Sequence, residues 1–208
     1  MTNGSFAGLP KSFFTERIVL LNSIGDRFYT WSFQPGMLFG SEEKWWDDGH
    51  IRSARHEGLD LCFYLDRAGE KHRLGSDTLI PPLFDGRIVL IVPDFLGMTL
   101  FLEHNILRDD GRRLITAYGH LARCEDSPVG HHVSGEEPLG LIADTTRCRR
   151  AVPPHLHLSV AWASPELRSE HLSWEAMKEP TLATLVDPLR IVATDSSYFL
   201  NFSSITKR

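Results

Sequence analysis

The sequence predicts a mainly β protein with an antiparallel sheet or sandwich core and few short helices. Short apolar runs rich in β-branched and aromatic residues recur along the chain, and glycine, aspartate and proline turn signals separate them. One stretch, near residues 174–178, has the pattern of a helix. With 208 residues, 42% of them hydrophobic, the chain is long enough to bury a substantial core in one domain.

Composition and charge argue against several classes of protein. The formal net charge is −5 and there is no long basic run, so a nucleic-acid binder that relies on bulk charge is not expected. The three cysteines form no Cys-x-x-Cys pair, which argues against a disulfide framework. No apolar run reaches the length of an integral membrane segment. The N-terminus lacks the pattern of a secretory signal, which predicts a cytoplasmic location.

Residues 1–38 are predicted to form a β-rich extension that packs on the core. Aromatic and β-branched residues dominate residues 12–39, and the alternation over residues 28–33 predicts a strand with one strongly apolar face. The main domain is predicted over residues 39–192, and a C-terminal tail over residues 193–208.

The main domain is predicted to consist of short strands joined by turns. Its turn signals are Asp-Gly pairs and polar segments, and the runs that follow them are rich in β-branched and aromatic residues. The predicted strands lie over residues 59–64, 87–92, 98–104, 114–121, 138–144 and 153–160.

Two histidines mark the strand predicted over residues 153–160. Because side chains alternate along a strand, His155 and His157 share one face while Leu156 and Leu158 share the other. A strand rises about 3.4 Å per residue, so the two imidazoles start about 7 Å apart, close enough to serve one small centre. Taken alone, the pair is explained equally well by chance placement on a surface strand.

A second candidate pair precedes the strand predicted over residues 59–64. His56 and Asp60 lie four residues apart, but Gly58 lowers helix preference, and the following alternation favours a turn that leads into a strand. An imidazole and a carboxylate are suitable ligands for zinc or a related divalent cation. Taken alone, a surface histidine and a strand-edge aspartate remain the simpler interpretation.

Three motifs on β-type segments occur in one order: His56-x-x-x-Asp60, Tyr118-x-His120 and His155-x-His157. In this order they resemble the lysostaphin/LytM-type zinc endopeptidases, many of which cut peptide bonds in bacterial peptidoglycan. Five polar positions in family order are far more specific than any single pair. The resemblance covers about residues 39–189 and includes Phe39-Gly40, Asp85-Gly86, Leu139-Gly140 and Asp187-Pro188-Leu189.

The resemblance implies both a fold and a reaction. The fold would be the duplicated-hybrid-motif type of antiparallel β structure. The activity would be zinc-dependent hydrolysis of peptide bonds, in peptidoglycan cross-links or stem peptides or in another short peptide substrate. By the resemblance, the zinc ligands are His56, Asp60 and His157, and the catalytic histidines are His120 and His155. Further substrate contacts are expected from Tyr118, Arg147, Arg149 and Arg150.

The expected roles agree with zinc chemistry. Three protein ligands leave a fourth tetrahedral position for water, and zinc lowers the pKa of that water towards about 7. His155 is assigned mainly to proton transfer and His120 mainly to stabilisation of the transition state. A packing role for Tyr118 and a solvated loop for the three arginines remain open.

Departures from the family pattern leave the substrate and the compartment open. The turn over residues 144–154 contains no glycine, and Ser159 stands where the family commonly has an acidic residue. The family's function points to the periplasm or cell wall, whereas no export signal is visible. One alternative is a catalytically silent LytM-like binding or regulatory module, or one autoinhibited by the N-terminal segment. Another is a non-haem iron oxygenase with two histidines and one carboxylate.

Overall fold

The computed structural model describes residues 9–47, 50–122, 127–146, 152–192 and 198–200. In these ranges antiparallel β structure dominates and helices are few and short, which confirms the predicted mainly β class. The helices are α1 (Phe14–Leu21), α2 (Trp174–Lys178) and α3 (Leu189–Val192), with 3₁₀ turns at Pro35–Met37 and Ser169–His171. The strands are β1 (Thr30–Phe33), β2 (Leu59–Leu61), β3 (Phe63–Leu65), β4 (Lys71–Arg73), β5 (Leu79–Ile80), β6 (Gly86–Pro93), β7 (Met98–Leu107), β8 (Arg113–Leu121), β9 (His132–Val133), β10 (Gly140–Leu141), β11 (Leu156–Ala163), β12 (Ala183–Val186) and β13 (Phe199–Leu200).

A seven-stranded sheet forms the centre of the fold. Its strands follow the order β12-β11-β8-β7-β6-β9, and β2 pairs with β11 beside this path. Strand β11 pairs with β8 along one edge and with β2 and β12 along the other. Opposite His157 lie Gly119 of β8 on one side and Asp60 of β2 on the other. The sheet therefore brings three distant segments of the chain to one point.

The six strands predicted in the main domain all correspond to observed strands, and the predicted helix is α2. Helix α2 begins after Ser173, whose hydroxyl accepts the Ala176 N–H as an N-cap. The short strands β4, β5, β9, β12 and β13 were not predicted. Every helix of the described residues is too short or too polar to span a lipid bilayer.

The alternation predicted for the His-x-His strand is confirmed. Leu156, Leu158 and Val160 of β11 are fully buried in the larger hydrophobic cluster. The opposite face of β11 carries His157 near the start of the strand and Ala161, in the second hydrophobic cluster, further along. The site histidine is thus held on a strand whose other face is anchored in the core.

The N-terminal segment differs from the strand-rich pattern expected for residues 12–39, because Phe14–Leu21 forms helix α1. Phe14 and Ile18 are four residues apart, so one helix face buries both in the core, whereas Leu20 is exposed. The described part of the segment contains one strand, β1, which pairs with β3 and β13 in a second sheet. Aromatic and β-branched residues fill a helix face here, where a strand was expected.

A β-bulge in the pairing of β7 with β8 lies next to the histidines. Met98 pairs with Leu121 and Leu100 pairs with Tyr118, so β8 contains one residue more than β7 between these pairs. His120 lies in the bulge with a φ of 64°, in the left-handed region that non-glycine residues rarely adopt. The backbone is therefore strained at a residue expected to be catalytic.

Candidate metal centre

The three side chains expected to bind zinc meet in the structure. His56 precedes β2, Asp60 lies in β2, and His157 lies in the adjacent strand β11. His56 Nε2 is 3.1 Å from both Asp60 Oδ1 and His157 Nδ1, and His157 Nδ1 is 2.8 Å from Asp60 Oδ1. All three residues are buried. Within the described ranges, they form the one group of histidine, cysteine and carboxylate side chains spaced to hold a metal ion.

The hydrogen-bond partners of the two imidazoles determine which ring nitrogens carry protons. His56 Nδ1 lies 3.0 Å from the Leu38 carbonyl oxygen, so Nδ1–H donates there and Nε2 keeps its lone pair. His157 Nε2 lies 3.0 Å from Ser159 Oγ, whose hydroxyl donates to the Glu57 carbonyl at 3.0 Å. Ser159 Oγ therefore accepts the His157 Nε2–H, and His157 Nδ1 keeps its lone pair.

The three inward-facing ligand atoms are therefore all hydrogen-bond acceptors. Two imidazole lone pairs and a carboxylate oxygen this close together repel one another unless a positive charge lies between them. In a tetrahedral zinc site with bonds of about 2.0–2.2 Å, the ligand atoms are about 3.3–3.6 Å apart. The observed separations are a few tenths of an ångström shorter, a difference that small side-chain rotations remove. The donor set thus fits a divalent cation such as zinc.

Outer donors hold the second oxygen of Asp60. Trp45 Nε1–H donates to Oδ2 at 2.7 Å, and Arg52 Nη2 lies 3.4 Å from the same oxygen. Burial alone would raise the pKa of Asp60, but the positive charge that His56 and His155 carry when protonated holds this pKa well below its usual range. Asp60 is therefore a carboxylate with one oxygen, Oδ1, left for a metal.

His155 lies beside the three candidate ligands, and its Nε2 atom carries a lone pair. Its Nδ1–H donates to the Pro153 carbonyl at 2.8 Å, and its Nε2 lies 3.8 Å from Asp60 Oδ1. Burial lowers the pKa of His155 to about 4, so the ring is neutral near pH 7. His155 Nε2 is consequently an available proton acceptor at the edge of the cluster.

His120 approaches the same cluster from the bulge in β8. Its ring centroid lies 4.9 Å from that of His155 and 5.9 Å from that of His157. Asp94, directly after β6, accepts the His120 backbone N–H at 2.8 Å through Oδ2 and the ring Nδ1–H at 3.1 Å through Oδ1. Burial alone would raise the pKa of Asp94, but its bonds to His120 hold this pKa well below its usual range.

A groove of about 280 Å³ contains these groups. Phe95 and Trp174 form aromatic walls, with ring centroids 4.9 Å from His120 and 5.0 Å from His157, respectively. Phe95 is 63% exposed, so its ring is available to a ligand. Among the described residues, none earlier in the chain than Trp46 lines the groove.

Gly58 permits the close approach of the His56–Asp60 segment to β11. A Cβ atom at this position would lie 2.5 Å from the Leu158 carbonyl oxygen and 2.7 Å from His157 Nε2. Such distances are too short for real side chains, so the site requires glycine here. The residue that lowers helix preference in the motif also allows the ligands to meet.

The structure brings five of the expected site residues together and places one elsewhere. Tyr118, an expected substrate contact, is fully buried in the core, and its hydroxyl accepts the Leu83 N–H at 2.7 Å. It pairs across the sheet with Leu158 and enters the same hydrophobic cluster, because cross-strand neighbours share a face. The groove is lined by His56, Asp60, His120, His155 and His157. The expected contacts Arg147, Arg149 and Arg150 lie outside the described residues.

Sequence reasoning missed the residues that orient the site. Asp94 lies in a connection between strands and belongs to no motif, so no sequence signal marked it. Trp45 belongs to no motif either, and its indole N–H donates to Asp60. The position of Ser159, two residues beyond His157 on the same strand face, was the one signal for its contact with that ring.

No protein-family model matches the chain, and no curated protein is significantly similar to it in sequence.

Proposed function

We propose that this protein is a zinc-dependent endopeptidase of the lysostaphin/LytM type that hydrolyses peptide bonds in peptidoglycan cross-links or stem peptides. The observation that carries the proposal is the convergence of three acceptor atoms, on His56, Asp60 and His157, within 3.1 Å of one another. Two further histidines line the same groove. The assignment to the lysostaphin/LytM type and the choice of peptidoglycan as the substrate rest on the order of the motifs. The geometry of the centre is consistent with both.

The ligand set supports a catalytic rather than a structural zinc site. Closed structural sites have four protein ligands, whereas His56, Asp60 and His157 supply three. When bound there, zinc would supply a Lewis acid and a water molecule with a pKa near about 7. The outer bonds from Leu38, Ser159 and Trp45 hold the ligands in the required tautomers and orientation.

His155 and His120 suit the two remaining roles in peptide hydrolysis. His155 is neutral with a lone pair on Nε2, so it would accept the proton of the attacking water and deliver it to the leaving amine. His120 is held by Asp94 through Nδ1, so its Nε2, when protonated, would donate to the developing oxyanion. The aromatic groove with a few convergent polar groups suits a small extended ligand such as a short peptide.

Two alternatives make different predictions for the same centre. A silent or autoinhibited module of this fold would bind metal without turnover, but relatives of that kind usually lose ligands, and here all five polar positions are present. A non-haem iron oxygenase also uses two histidines and a carboxylate. The neighbouring His120 and His155 favour acid–base chemistry over that alternative.

The decisive experiment combines metal analysis with a hydrolysis assay. Purified wild type, His157→Ala and the control His131→Ala are analysed for bound metals, and each is incubated with purified peptidoglycan while new amines are measured. His131 pairs with Glu137 and does not line the groove, so it controls for the loss of a histidine elsewhere. We expect about one zinc per chain and amine release in the wild type and in the control, with both lost in His157→Ala.

Three outcomes would contradict the proposal. Zinc bound without amine release from any wall type would favour the silent module. Iron as the bound metal would favour the oxygenase. No bound metal in a folded wild type, even after reconstitution with zinc, would overturn the metal site itself.

A further inference from the structure

The Asp94 carboxylate accepts hydrogen bonds from two separate parts of the chain. Oδ1 accepts the Leu96 N–H at 2.8 Å and the Gly97 N–H at 2.7 Å, and Oδ2 accepts the Thr99 hydroxyl at 2.9 Å. These bonds close the turn between β6 and β7. The same two oxygens also accept the backbone N–H and the ring Nδ1–H of His120. The side chain of Asp94 is only 5% exposed, so water competes little for these bonds.

A similar Asp–His pair occurs outside the groove and serves as an internal comparison. Asp66 accepts the N–H groups of Ala68 and Glu70 through Oδ1 and contacts His72 Nε2 at 3.0 Å through Oδ2. His72 does not line the groove. The contact between a turn-closing aspartate and a histidine therefore does not by itself mark a functional site. Asp94 differs from Asp66 because its histidine, His120, lines the groove.

The bond to Nδ1 fixes the chemistry of the His120 ring. A neutral imidazole carries its proton on one nitrogen, and free histidine favours the Nε2–H form in water. A carboxylate at Nδ1 stabilises the opposite Nδ1–H form, which leaves the lone pair on Nε2. Since Nε2 lies on the side of the ring away from Asp94, it is the nitrogen left for a ligand in the groove.

The bond to the backbone N–H acts on the conformation of the same residue. His120 has a φ of 64°, which costs free energy for any residue with a Cβ atom. The Oδ2–N bond of 2.8 Å from a charged acceptor offsets this cost and keeps the bulge in place. One carboxylate thus controls both the direction of the His120 side chain and its tautomer.

We propose that Asp94 is a positioning residue for His120: its carboxylate fixes the left-handed backbone and the Nδ1–H tautomer, so that Nε2 is presented to the groove. The effect on hydrolysis depends on the proposed function, whereas the tautomer does not. The proposed function and the assigned tautomer can therefore fail independently.

The tautomer is measured by NMR on protein labelled with ¹⁵N at histidine, with and without zinc. Long-range proton–nitrogen correlations distinguish a protonated ring nitrogen from one with a lone pair. Spectra are recorded about two pH units above the ordinary histidine pKa of about 6.5, where neutral rings dominate. The His120 signals are identified by their absence from the His120→Gln variant.

Three variants separate positioning from closure of the turn. In Asp94→Ser, the hydroxyl still accepts a nearby backbone N–H and supports the turn, but it is too short to reach the His120 ring. In Asp94→Asn, an amide oxygen at the Oδ1 position still accepts the Nδ1–H, while the charge and the acceptor of the His120 backbone N–H are lost. Asp66→Ser makes the same change at the comparison pair.

We expect the Nδ1–H form of His120 in the wild type, in Asp94→Asn and in Asp66→Ser, and mainly the Nε2–H form in Asp94→Ser. On a hydrolysed substrate, kcat should fall on the order of 10- to 100-fold in Asp94→Ser, because the His120 ring loses the two bonds that fix its direction, with KM and bound zinc unchanged. An Nε2–H form in the wild type, or an unchanged His120 tautomer in folded Asp94→Ser, would overturn the inference. If the wild type hydrolyses no peptide, the proposed function fails and the tautomer alone decides this inference.

Discussion

The Nε2–H of His157 donates to the Ser159 hydroxyl across 3.0 Å, two residues along the same strand face. The hydroxyl proton is committed to the Glu57 carbonyl, so Ser159 can only accept from the ring. The contact with Ser159 therefore leaves the lone pair of His157 on Nδ1, the atom that faces the candidate metal site. The neutral hydroxyl accepts the ring N–H, as a charged carboxylate at position 159 would.

Removal of the Ser159 hydroxyl should weaken metal binding while leaving the fold intact. In Ser159→Ala, His157 Nε2–H loses its acceptor, and the ring is free to place the proton on Nδ1, where it blocks the metal. We expect zinc affinity to fall on the order of 10- to 100-fold, as is typical for outer partners of metal ligands. Competition with a zinc chelator measures the affinity, and Ser159→Thr, which retains the hydroxyl, should stay closer to the wild type. Equal affinities for wild type and Ser159→Ala would contradict the assigned tautomer.

The indole of Trp45 should matter through its N–H group. Trp45→Phe keeps an aromatic ring but removes the 2.7 Å bond to Asp60 Oδ2, which leaves that buried oxygen with the longer Arg52 contact. We expect weaker zinc binding, again on the order of 10- to 100-fold. Trp46→Phe is the matched control, because Trp46 stacks on Arg52 and makes no contact with Asp60 that the structure records. A loss of affinity in the control as large as that in Trp45→Phe would point to aromatic packing instead.

An alanine at position 58 should destabilise the protein and separate the ligands. The added methyl group would overlap the Leu158 carbonyl oxygen and the ring of His157, so the segment must move. Overpacking of this kind costs about 1–3 kcal/mol of unfolding free energy, and the backbone contact places Gly58→Ala at the upper end. Urea denaturation measures the change, and zinc binding should fall with it. In the control Gly25→Ala, the new methyl group would lie 3.8 Å from Val19, and no loss is expected.

The buried imidazole of His104 should make the fold sensitive to mild acid. His104 contacts the Asp85 carbonyl and the Thr116 hydroxyl, and burial lowers its pKa to about 4. Between about pH 6.5 and pH 4 the unfolded chain binds this proton and the folded protein does not. The neutral His104 ring therefore makes its full contribution to the free energy of unfolding above pH 6.5. This contribution, about 3 kcal/mol in total, is lost as the pH falls towards 4.

The His104 contribution is isolated by comparison with a residue that does not titrate. The unfolding free energies of the wild type and His104→Gln are measured from pH 7 to pH 4. His155 also titrates in this range, but it contributes equally to both proteins and cancels in the comparison. The wild type should lose more stability over this range than the variant. Parallel profiles of unfolding free energy against pH would show that protonation of His104 does not destabilise the folded state.

The strands and the motifs that carry the candidate ligands were predictable because they depend on sequence patterns. Alternation fixes the faces of β11, and the order of the motifs predicted that His56 and Asp60 would meet His157, although they lie about a hundred residues before it. Helix α1 was missed because Phe14 and Ile18 are also good strand residues, and only their common partners in the core favour the helix. Tyr118 carries a motif position but faces the core, since the bulge turns His120 and not Tyr118 towards the groove. Asp94 could not be found from the sequence, because its role depends on a contact across 26 residues.

The most direct test of the proposed zinc site is anomalous diffraction from crystals of the zinc-loaded protein. We expect one strong zinc peak at about 2.0–2.2 Å from His56 Nε2, Asp60 Oδ1 and His157 Nδ1, with the fourth position open to the groove. His120 and His155 should lie near the metal without binding it. A peak at any other site, a zinc ion bound through His157 Nε2, or no peak in fully loaded protein would contradict the proposed site.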